Sequence, residues 1–227
     1  MRNISEHQRV NDILLGPLER PALRWLAAHA PPWITPDRCT AVGVVAAFGI
    51  MVSYGLSALN PGFLWLATFG YVVNWFGDSL DGTLARHRRI ERPIYGFFLD
   101  HTVDAITEAM IFLGLGLTPY VRFDIACLAL IAYLLLSVLV YVRTSVAGEF
   151  RISYGKLGPT EVRVLAIILN TWMYFGGLRS FTLGVWLGRP LVISPYDVFV
   201  AGIGLLLLWF FTTTAIRETI ALRRQGR

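Results

Sequence analysis

The hydrophobic residues of the chain form six long runs, separated by short polar or turn-like links. The runs cover residues 39–58, 62–85, 94–118, 120–142, 160–178 and 196–216. A transmembrane helix needs about 20 mostly apolar residues, so each run is long enough to cross a bilayer. The pattern predicts an all-α fold, a bundle of six transmembrane helices forming a single domain over residues 1–227. The spans occupy 39–216, preceded by a segment at 1–38 and followed by a tail at 217–227.

The N-terminal segment is polar at its start and lacks the early apolar core of a cleaved signal peptide. Further along, residues 22–29 read ALRWLAAH, with Leu18 before them. This spacing predicts a short amphipathic helix on the membrane surface. A plain linker is the alternative interpretation.

Composition supports the membrane assignment. Hydrophobic residues make up 55% of the chain and the mean hydropathy is +0.57, while only 15% of residues are charged. Ordinary soluble domains have roughly 25% charged residues. We therefore expect an integral membrane protein with no separate soluble domain.

The positive charges are unevenly distributed between the links. Of 20 Lys and Arg residues, 17 lie in the N-terminal segment, the links after spans two and four, and the C-terminal tail. These segments share one side of a six-span protein, and the other side has only Arg122, Arg179 and Arg189. The positive-inside rule then places both termini in the cytoplasm. The expected location is a bacterial inner membrane, or an equivalent endoplasmic reticulum membrane.

Acidic residues interrupt the apolar pattern where span two ends and span three begins. Asp78 and Asp81 share one helix face at about 100° per residue. Asp100 and Asp104, spaced by four, share a face of the next span. The short loop between the spans predicts an antiparallel hairpin that brings all four acids together near the cytoplasmic surface. Intramembrane acids usually mark function, although helix capping or ion pairs with the loop arginines would be a purely structural alternative.

Four neighbouring carboxylates raise one another's pKa unless a countercharge is present. Hard divalent cations prefer oxygen ligands, so we predict two Mg²⁺ or Mn²⁺ ions held by the four aspartates. The small residues Gly82 and Ala85 leave room beside them, and the Arg86 guanidinium suits phosphate oxygens. The residues thus indicate phosphoryl-transfer chemistry at a membrane surface.

The acidic segment resembles the signature of the CDP-alcohol phosphotransferase family. Residues 78–86 read DSLDGTLAR and residues 96–104 read GFFLDHTVD, which fill its eight fixed positions in order. The gap at 87–95 is nine residues long, where the family has eight. The extra residue falls in the loop, so it bears on the shape of the loop and not on the site. Residues 33–40, WITPDRCT, resemble the family's Thr-Pro-Asn segment, with Asp37 in place of Asn.

The resemblance implies a mechanism and a set of residue roles. Two metals held by Asp78, Asp81, Asp100 and Asp104 bind the diphosphate of a CDP-linked donor, an acceptor hydroxyl attacks, and CMP leaves. Asp104 is the family's candidate base. The residues expected to bind the nucleotide are Thr35, Gly82, Ala85 and Arg86. The implied partners are CDP-alcohol and lipid substrates, with no nucleic acid, in a possible homodimer.

The family divides by substrate. One branch uses a CDP-aminoalcohol and a lipid hydroxyl such as diacylglycerol, and two features favour it here. His101 follows Asp100 as in choline/ethanolamine phosphotransferases, and Glu161 follows Thr160 as in their Thr-Glu pair, so both are expected to help deprotonate the acceptor. The alternatives are a surface histidine and an acid that caps span five.

The other branch uses CDP-diacylglycerol and a small polar alcohol or alcohol phosphate, such as glycerol phosphate, inositol phosphate or serine. Arg143, Lys156 and Arg163 could hold an acceptor phosphate there, or could simply be positive-inside anchors. The main prediction is the aminoalcohol branch. Rival classes are a divalent-cation transporter, whose acids should lie nearer the midplane, and a membrane prenyltransferase.

Overall fold

The structure is a computed structural model that describes residues 8–10, 14–147, 149–151, 158–186 and 188–225. Within these ranges the chain forms seven α-helices and four short strands. The helices are α1 Gly16–His29, α2 Pro36–Leu56, α3 Phe63–Arg88, α4 Pro93–Gly116, α5 Phe123–Ala147, α6 Pro159–Gly176 and α7 Pro195–Gln225. The strands are β1 Gln8–Val10, β2 Glu149–Arg151, β3 Phe181–Trp186 and β4 Arg189–Ile193.

Helices α2 to α7 lie where the six hydrophobic runs predict helices. Three of them, α2, α5 and α7, are long and apolar enough to cross a membrane on length and composition. The other three, α3, α4 and α6, contain the acidic and basic residues of the predicted site, which lower their hydropathy. Spanning by these three helices remains a prediction.

The fold is mostly helical, in line with the all-α prediction, and four short strands accompany the helices. Strands β1 and β2 pair in parallel, and β3 and β4 form an antiparallel hairpin with a register shift between Thr182 and Gly184. Strand β1 lies in the N-terminal segment, and the other three lie in links between runs. All four are too short to be detected by a search for long apolar segments.

The N-terminal helix is confirmed, and it packs against α3. Leu23 and Ala27 of α1 are buried in a cluster with Leu80 and Leu84 of α3. The Glu19 carboxylate accepts from Trp75 Nε1 at 3.1 Å and from Thr160 Oγ1 at 3.0 Å. Helix α1 is thus tied to α3 and α6, while its position on a membrane surface remains a prediction.

Helices α2 and α3 approach each other closely at a pair of glycines. A Cβ atom added at Gly77 would lie 2.5 Å from the Cys39 carbonyl oxygen and 2.6 Å from the Gly43 nitrogen. Backbone atoms cannot give way as a flexible side chain can, so only glycine fits at this crossing. The crossing sets α2 directly against the turn of α3 that contains Asp78.

Candidate active site

The turn between α3 and α4 brings the two halves of the acidic segment together. Helix α3 ends at Arg89 in the left-handed conformation, with φ 57°, and the Ile90 N–H donates to the Ala85 carbonyl at 3.0 Å. The Arg92 guanidinium then pairs with Asp37 at the start of α2, and the hydrogen bond raises the pKa of Arg92. Because α4 starts directly afterwards at Pro93, its first acids lie opposite the last acids of α3.

Three of the four predicted aspartates form one group. Asp78, Asp100 and Asp104 offer carboxylate oxygens that all lie within 4.8 Å of one another. Divalent cations bind oxygens at about 2.0–2.6 Å, so oxygens around one such ion lie within about 5 Å of each other. The three residues therefore fit a hard divalent cation by donor type and by spacing.

Asp81 lies beside this group and is held towards α2. Its Oδ2 accepts from Thr40 Oγ1 at 2.6 Å, and its Oδ1 accepts from the Gly82 N–H at 2.5 Å. Each of these oxygens keeps a second lone pair, and Asp81 as a metal ligand remains a proposal.

An arginine from α6 brings one positive charge to the group. Arg163 Nη2 donates to Asp78 Oδ2 at 2.6 Å, and Arg163 Nε donates to Asn74 Oδ1 at 2.9 Å. Asn74 is buried, and its Nδ2 donates to the Gly43 carbonyl at 3.0 Å. Asn74, one turn before Asp78 on the same helix face, is a site residue that the sequence analysis did not identify.

A cleft opens between α2, α3 and α4 beside the carboxylates. It is lined by Thr40, Gly43, Asn74, Asp78, Asp100, Val103 and Thr107. Thr40 and Gly43 are small, which keeps the α2 wall of the cleft open next to two of the three grouped acids.

The predicted nucleotide residues occupy the following turns of α3 and the start of α2. The Arg86 guanidinium lies over Gly82, where an added Cβ would be 3.3 Å from Nη1, and its Nη2 donates to Thr83 Oγ1 at 3.2 Å. Ala85 lies beside Arg86 in the chain. Thr35 caps α2 and accepts from the Arg38 N–H at 3.3 Å. Nucleotide binding by these residues remains a prediction.

His101 is enclosed by aromatic rings. Its ring stacks on Phe97 with centroids 4.1 Å apart and is tilted against Tyr141 at 4.9 Å. Its Nδ1 lies 3.5 Å from Asp100 Oδ2, and the side chain is 13% exposed. His101 is therefore packed next to the acidic group and is not a surface histidine.

Glu161 has the geometry of a capping acid, the second interpretation that its sequence allowed. Its Oε1 accepts from the Leu15 N–H at 2.8 Å and its Oε2 accepts from the Gly158 N–H at 2.8 Å. Both oxygens are thus used at the start of α6, where they also hold the chain before α1. This arrangement does not support a base at the acceptor hydroxyl.

The other predicted cations differ in position. Arg143 pairs with Glu218 of α7 at 3.0 Å, whereas Arg163 reaches the aspartates. Lys156 lies outside the described residues. Of the two candidates among the described residues, Arg163 is the one that pairs with an aspartate of the group.

The chain matches known proteins along most of its length. The CDP-alcohol phosphatidyltransferase family profile matches residues 31–194. Cholinephosphotransferase 1 of Gallus gallus is 27% identical over 207 residues, which cover 85% of this chain and 58% of that protein. An archaetidylinositol phosphate synthase of Pyrococcus horikoshii is 32% identical over 137 residues, which cover 60% of this chain and 68% of that protein. The chain thus spans little more than half of the cholinephosphotransferase.

The fold has a counterpart among solved structures. The crystal structure of Mycobacterium tuberculosis phosphatidylinositol phosphate synthase with CDP-DAG bound superimposes with a TM-score of 0.57 at 21% identity. The match covers 85% of this chain and 89% of that one. Because the family profile matches more than half of the chain, the chain belongs to the CDP-alcohol phosphatidyltransferase family.

Proposed function

We propose that the protein transfers a phosphatidyl-type group from a CDP-linked lipid to the hydroxyl of a small phosphorylated alcohol and releases CMP. The observation that carries the proposal is the Arg163 guanidinium in contact with the Asp78 carboxylate inside the membrane domain. Charge-assisted contacts between arginine and phosphate are strong and directional. A cation at this position suits an acceptor that carries a phosphate group close to its reacting hydroxyl.

The aspartates supply the binding site for the reacting diphosphate. Asp78, Asp100 and Asp104 would hold divalent Mg²⁺ or Mn²⁺, with Asp81 as a further ligand for the second ion. A metal bound there neutralises negative charge on the transferring group and on the leaving phosphate. The Arg86 guanidinium would bind a phosphate oxygen of the nucleotide, with Gly82 and Ala85 giving it room.

The chemical step needs a proton acceptor at the attacking hydroxyl. Asp104, at the deeper end of the group, would take the proton while the acceptor oxygen forms its bond to phosphorus. The bond between that phosphorus and the CMP oxygen breaks at the same time, and the electron pair leaves with CMP. A carboxylate base must lie within hydrogen-bond reach of the hydroxyl.

The choice of substrate branch departs from the main prediction of the sequence analysis. Glu161, one of the two residues that favoured a CDP-aminoalcohol, is used as a cap. The relatives include phosphatidylinositol phosphate and archaetidylinositol phosphate synthases, and the structural neighbour is bound to CDP-DAG. These points support the CDP-diacylglycerol alternative.

The aminoalcohol branch remains the second candidate. The similarity to cholinephosphotransferase 1 covers most of this chain, and His101 is packed beside Asp100 as that branch would require.

A labelling experiment separates the two candidates. Purified protein in detergent with Mg²⁺ or Mn²⁺ is incubated with labelled CDP-diacylglycerol and either inositol phosphate, glycerol phosphate or serine. A parallel set contains labelled CDP-choline or CDP-ethanolamine with diacylglycerol. We expect a labelled lipid product distinct from the donor in the first set with a phosphorylated acceptor. A labelled lipid product only in the second set would refute the proposed substrates while leaving the family assignment intact.

A further inference from the structure

The β3–β4 hairpin exposes apolar side chains on both of its faces. Phe181, Leu183 and Val185 are 46%, 62% and 73% exposed, and Val192 is 42% exposed. The register shift between Thr182 and Gly184 places Phe181 and Val185 on opposite faces of the ribbon. An exposed apolar surface that continues round both faces marks a contact with a partner or a membrane.

The base of the hairpin is fixed to the helices. Arg122, just before α5, donates from Nη1 to the Val192 carbonyl at 3.1 Å. Its backbone N–H donates to Asp197 Oδ1 at 2.7 Å, and the Ser194 N–H donates to Asp197 Oδ2 at 2.7 Å. The ribbon therefore has a set position relative to the starts of α5 and α7.

Exposed aromatic side chains lie at the same end of the bundle. Trp65 at the start of α3 packs against Tyr174 and Phe175 at the end of α6, with centroids 5.4 Å and 6.2 Å apart. All three are more than a third exposed. Tryptophan and tyrosine are enriched at the boundary between membrane and water, and α6 ends at Gly176, only five residues before the hairpin begins.

The aromatic cluster lies far from the acidic group. Asp78 follows Trp65 by 13 positions along α3, which is about 20 Å at 1.5 Å per residue. With α3 crossing the hydrocarbon core of about 30 Å, as the hydrophobic pattern predicts, this separation places the aromatic cluster and the aspartates in opposite leaflets.

We propose that the β3–β4 hairpin lies in the phospholipid headgroup layer of the leaflet opposite the aspartates, with its apolar side chains against the acyl chains. Phospholipid suits this surface because the aromatic cluster continues it along the helices. Arg179, which is exposed just before β3, adds a cation for lipid phosphates. The hairpin would then anchor the ends of α6 and α7 at a fixed depth. A second copy of the chain, pairing through the open strand edges, is the competing occupant.

Site-directed fluorescence tests the depth of the hairpin. Val185→Cys is labelled with an environment-sensitive dye in protein whose Cys39 and Cys127 are replaced by alanine, and the protein is reconstituted in phosphatidylcholine–phosphatidylglycerol vesicles. Arg224→Cys, on the other side of the membrane, is the control, and iodide is present on both sides of the vesicles. Helix α7 has 31 residues, about 46 Å, so its end extends beyond the bilayer into water.

We expect iodide to quench the dye at position 185 several-fold less than the dye at position 224. Lipids with a spin label near the headgroup should quench the dye at position 185 more than lipids with a spin label deep in the acyl chain. Equal iodide quenching at both sites would overturn the proposal. Shielding from both quenchers, with efficient disulfide cross-linking through Val185→Cys, would show a second copy instead. Leu183→Cys repeats the test if labelling at Val185 disturbs CMP release or folding.

Discussion

Asp78 makes two kinds of contact at once. One carboxylate oxygen accepts from Arg163 at 2.6 Å, and the side chain also belongs to the group of three acids that fits a metal. Metal-ligating carboxylates are commonly oriented by hydrogen bonds from an outer shell of residues. Asn74 accepts a hydrogen bond from Arg163 and donates one to the Gly43 carbonyl. The orientation of Asp78 therefore depends on contacts among α2, α3 and α6.

Replacing Asn74 by alanine should weaken both folding and catalysis. The change leaves the buried Arg163 Nε without its acceptor, which typically costs about 1–3 kcal/mol, and removes the bond from Asn74 to the Gly43 carbonyl. We expect a lower midpoint of thermal unfolding in detergent and a lower rate of CMP release. Asn60→Ala, in the exposed turn before α3, is the control. Equal midpoints and rates for the two variants would contradict the role assigned to Asn74.

Variants of Glu161 distinguish a cap from a base. Glu161→Gln keeps an oxygen that can accept one of the two backbone N–H groups, so most of the CMP release rate should remain. Glu161→Ala leaves both N–H groups without this acceptor and should lower the unfolding midpoint, since losing a cap costs about 0.5–2 kcal/mol. A Gln variant that folds normally but is inactive would restore Glu161 as a proton acceptor.

The acidic group was predictable because its spacing is regular and its two pairs lie on either side of one short loop. The role of Asn74 was not predictable, because one polar residue in an apolar run does not show which helix it faces. The Arg163 contact was missed for a related reason, since the sequence places Arg163 near the cytoplasmic side but does not say that it points inward.

At the scale of elements, the close approach of α2 and α3 positions the site. The Thr40–Asp81 hydrogen bond crosses between these helices, and so does the Asn74–Gly43 bond. Both depend on the backbone contact at Gly77, which tolerates no side chain.

Gly77→Ala should separate the two helices and disrupt the site. Overpacking a tight contact typically costs about 1–3 kcal/mol, and here the Cβ meets backbone atoms. We expect a lower unfolding midpoint and little CMP release. Gly49→Ala in α2, where an added Cβ meets nothing within 4 Å, should be neutral or stabilising by up to about 1 kcal/mol. If Gly77→Ala behaves like Gly49→Ala, the packing argument is wrong.

The helices could be located well because the hydrophobic runs mark their lengths and prolines mark the starts of several of them. Helices α2, α4, α6 and α7 each begin at a proline, which is favoured in the first helical turn. The hairpin escaped prediction because its two strands are too short to produce a periodic signal in a chain that is apolar almost throughout.

At the scale of the whole molecule, the charge distribution predicts the topology. Reporter tags at either terminus should give a cytoplasmic signal, and a tag within 180–194 should give a signal from the other side, because the positive-inside rule acts on the short links. Tags that report the two termini on opposite sides would show an odd number of spans. The predicted leaflet of the acidic group would then need revision, although its geometry would not.

The central claim is that transfer depends on a divalent cation held by the three grouped aspartates. The most direct measurement is CMP release from CDP-diacylglycerol with a phosphorylated acceptor, titrated with Mg²⁺ after chelation, for the unmodified protein and for Asp78→Asn, Asp100→Asn and Asp104→Asn. Asp124→Asn, in an exposed ion pair with Arg122, is the control. We predict release that returns with Mg²⁺ in the unmodified protein and the control, and falls by about 100-fold or more in the other three, in line with losses seen for essential groups. Release that persists in chelator, or near-normal release in two of the three variants, would contradict the claim.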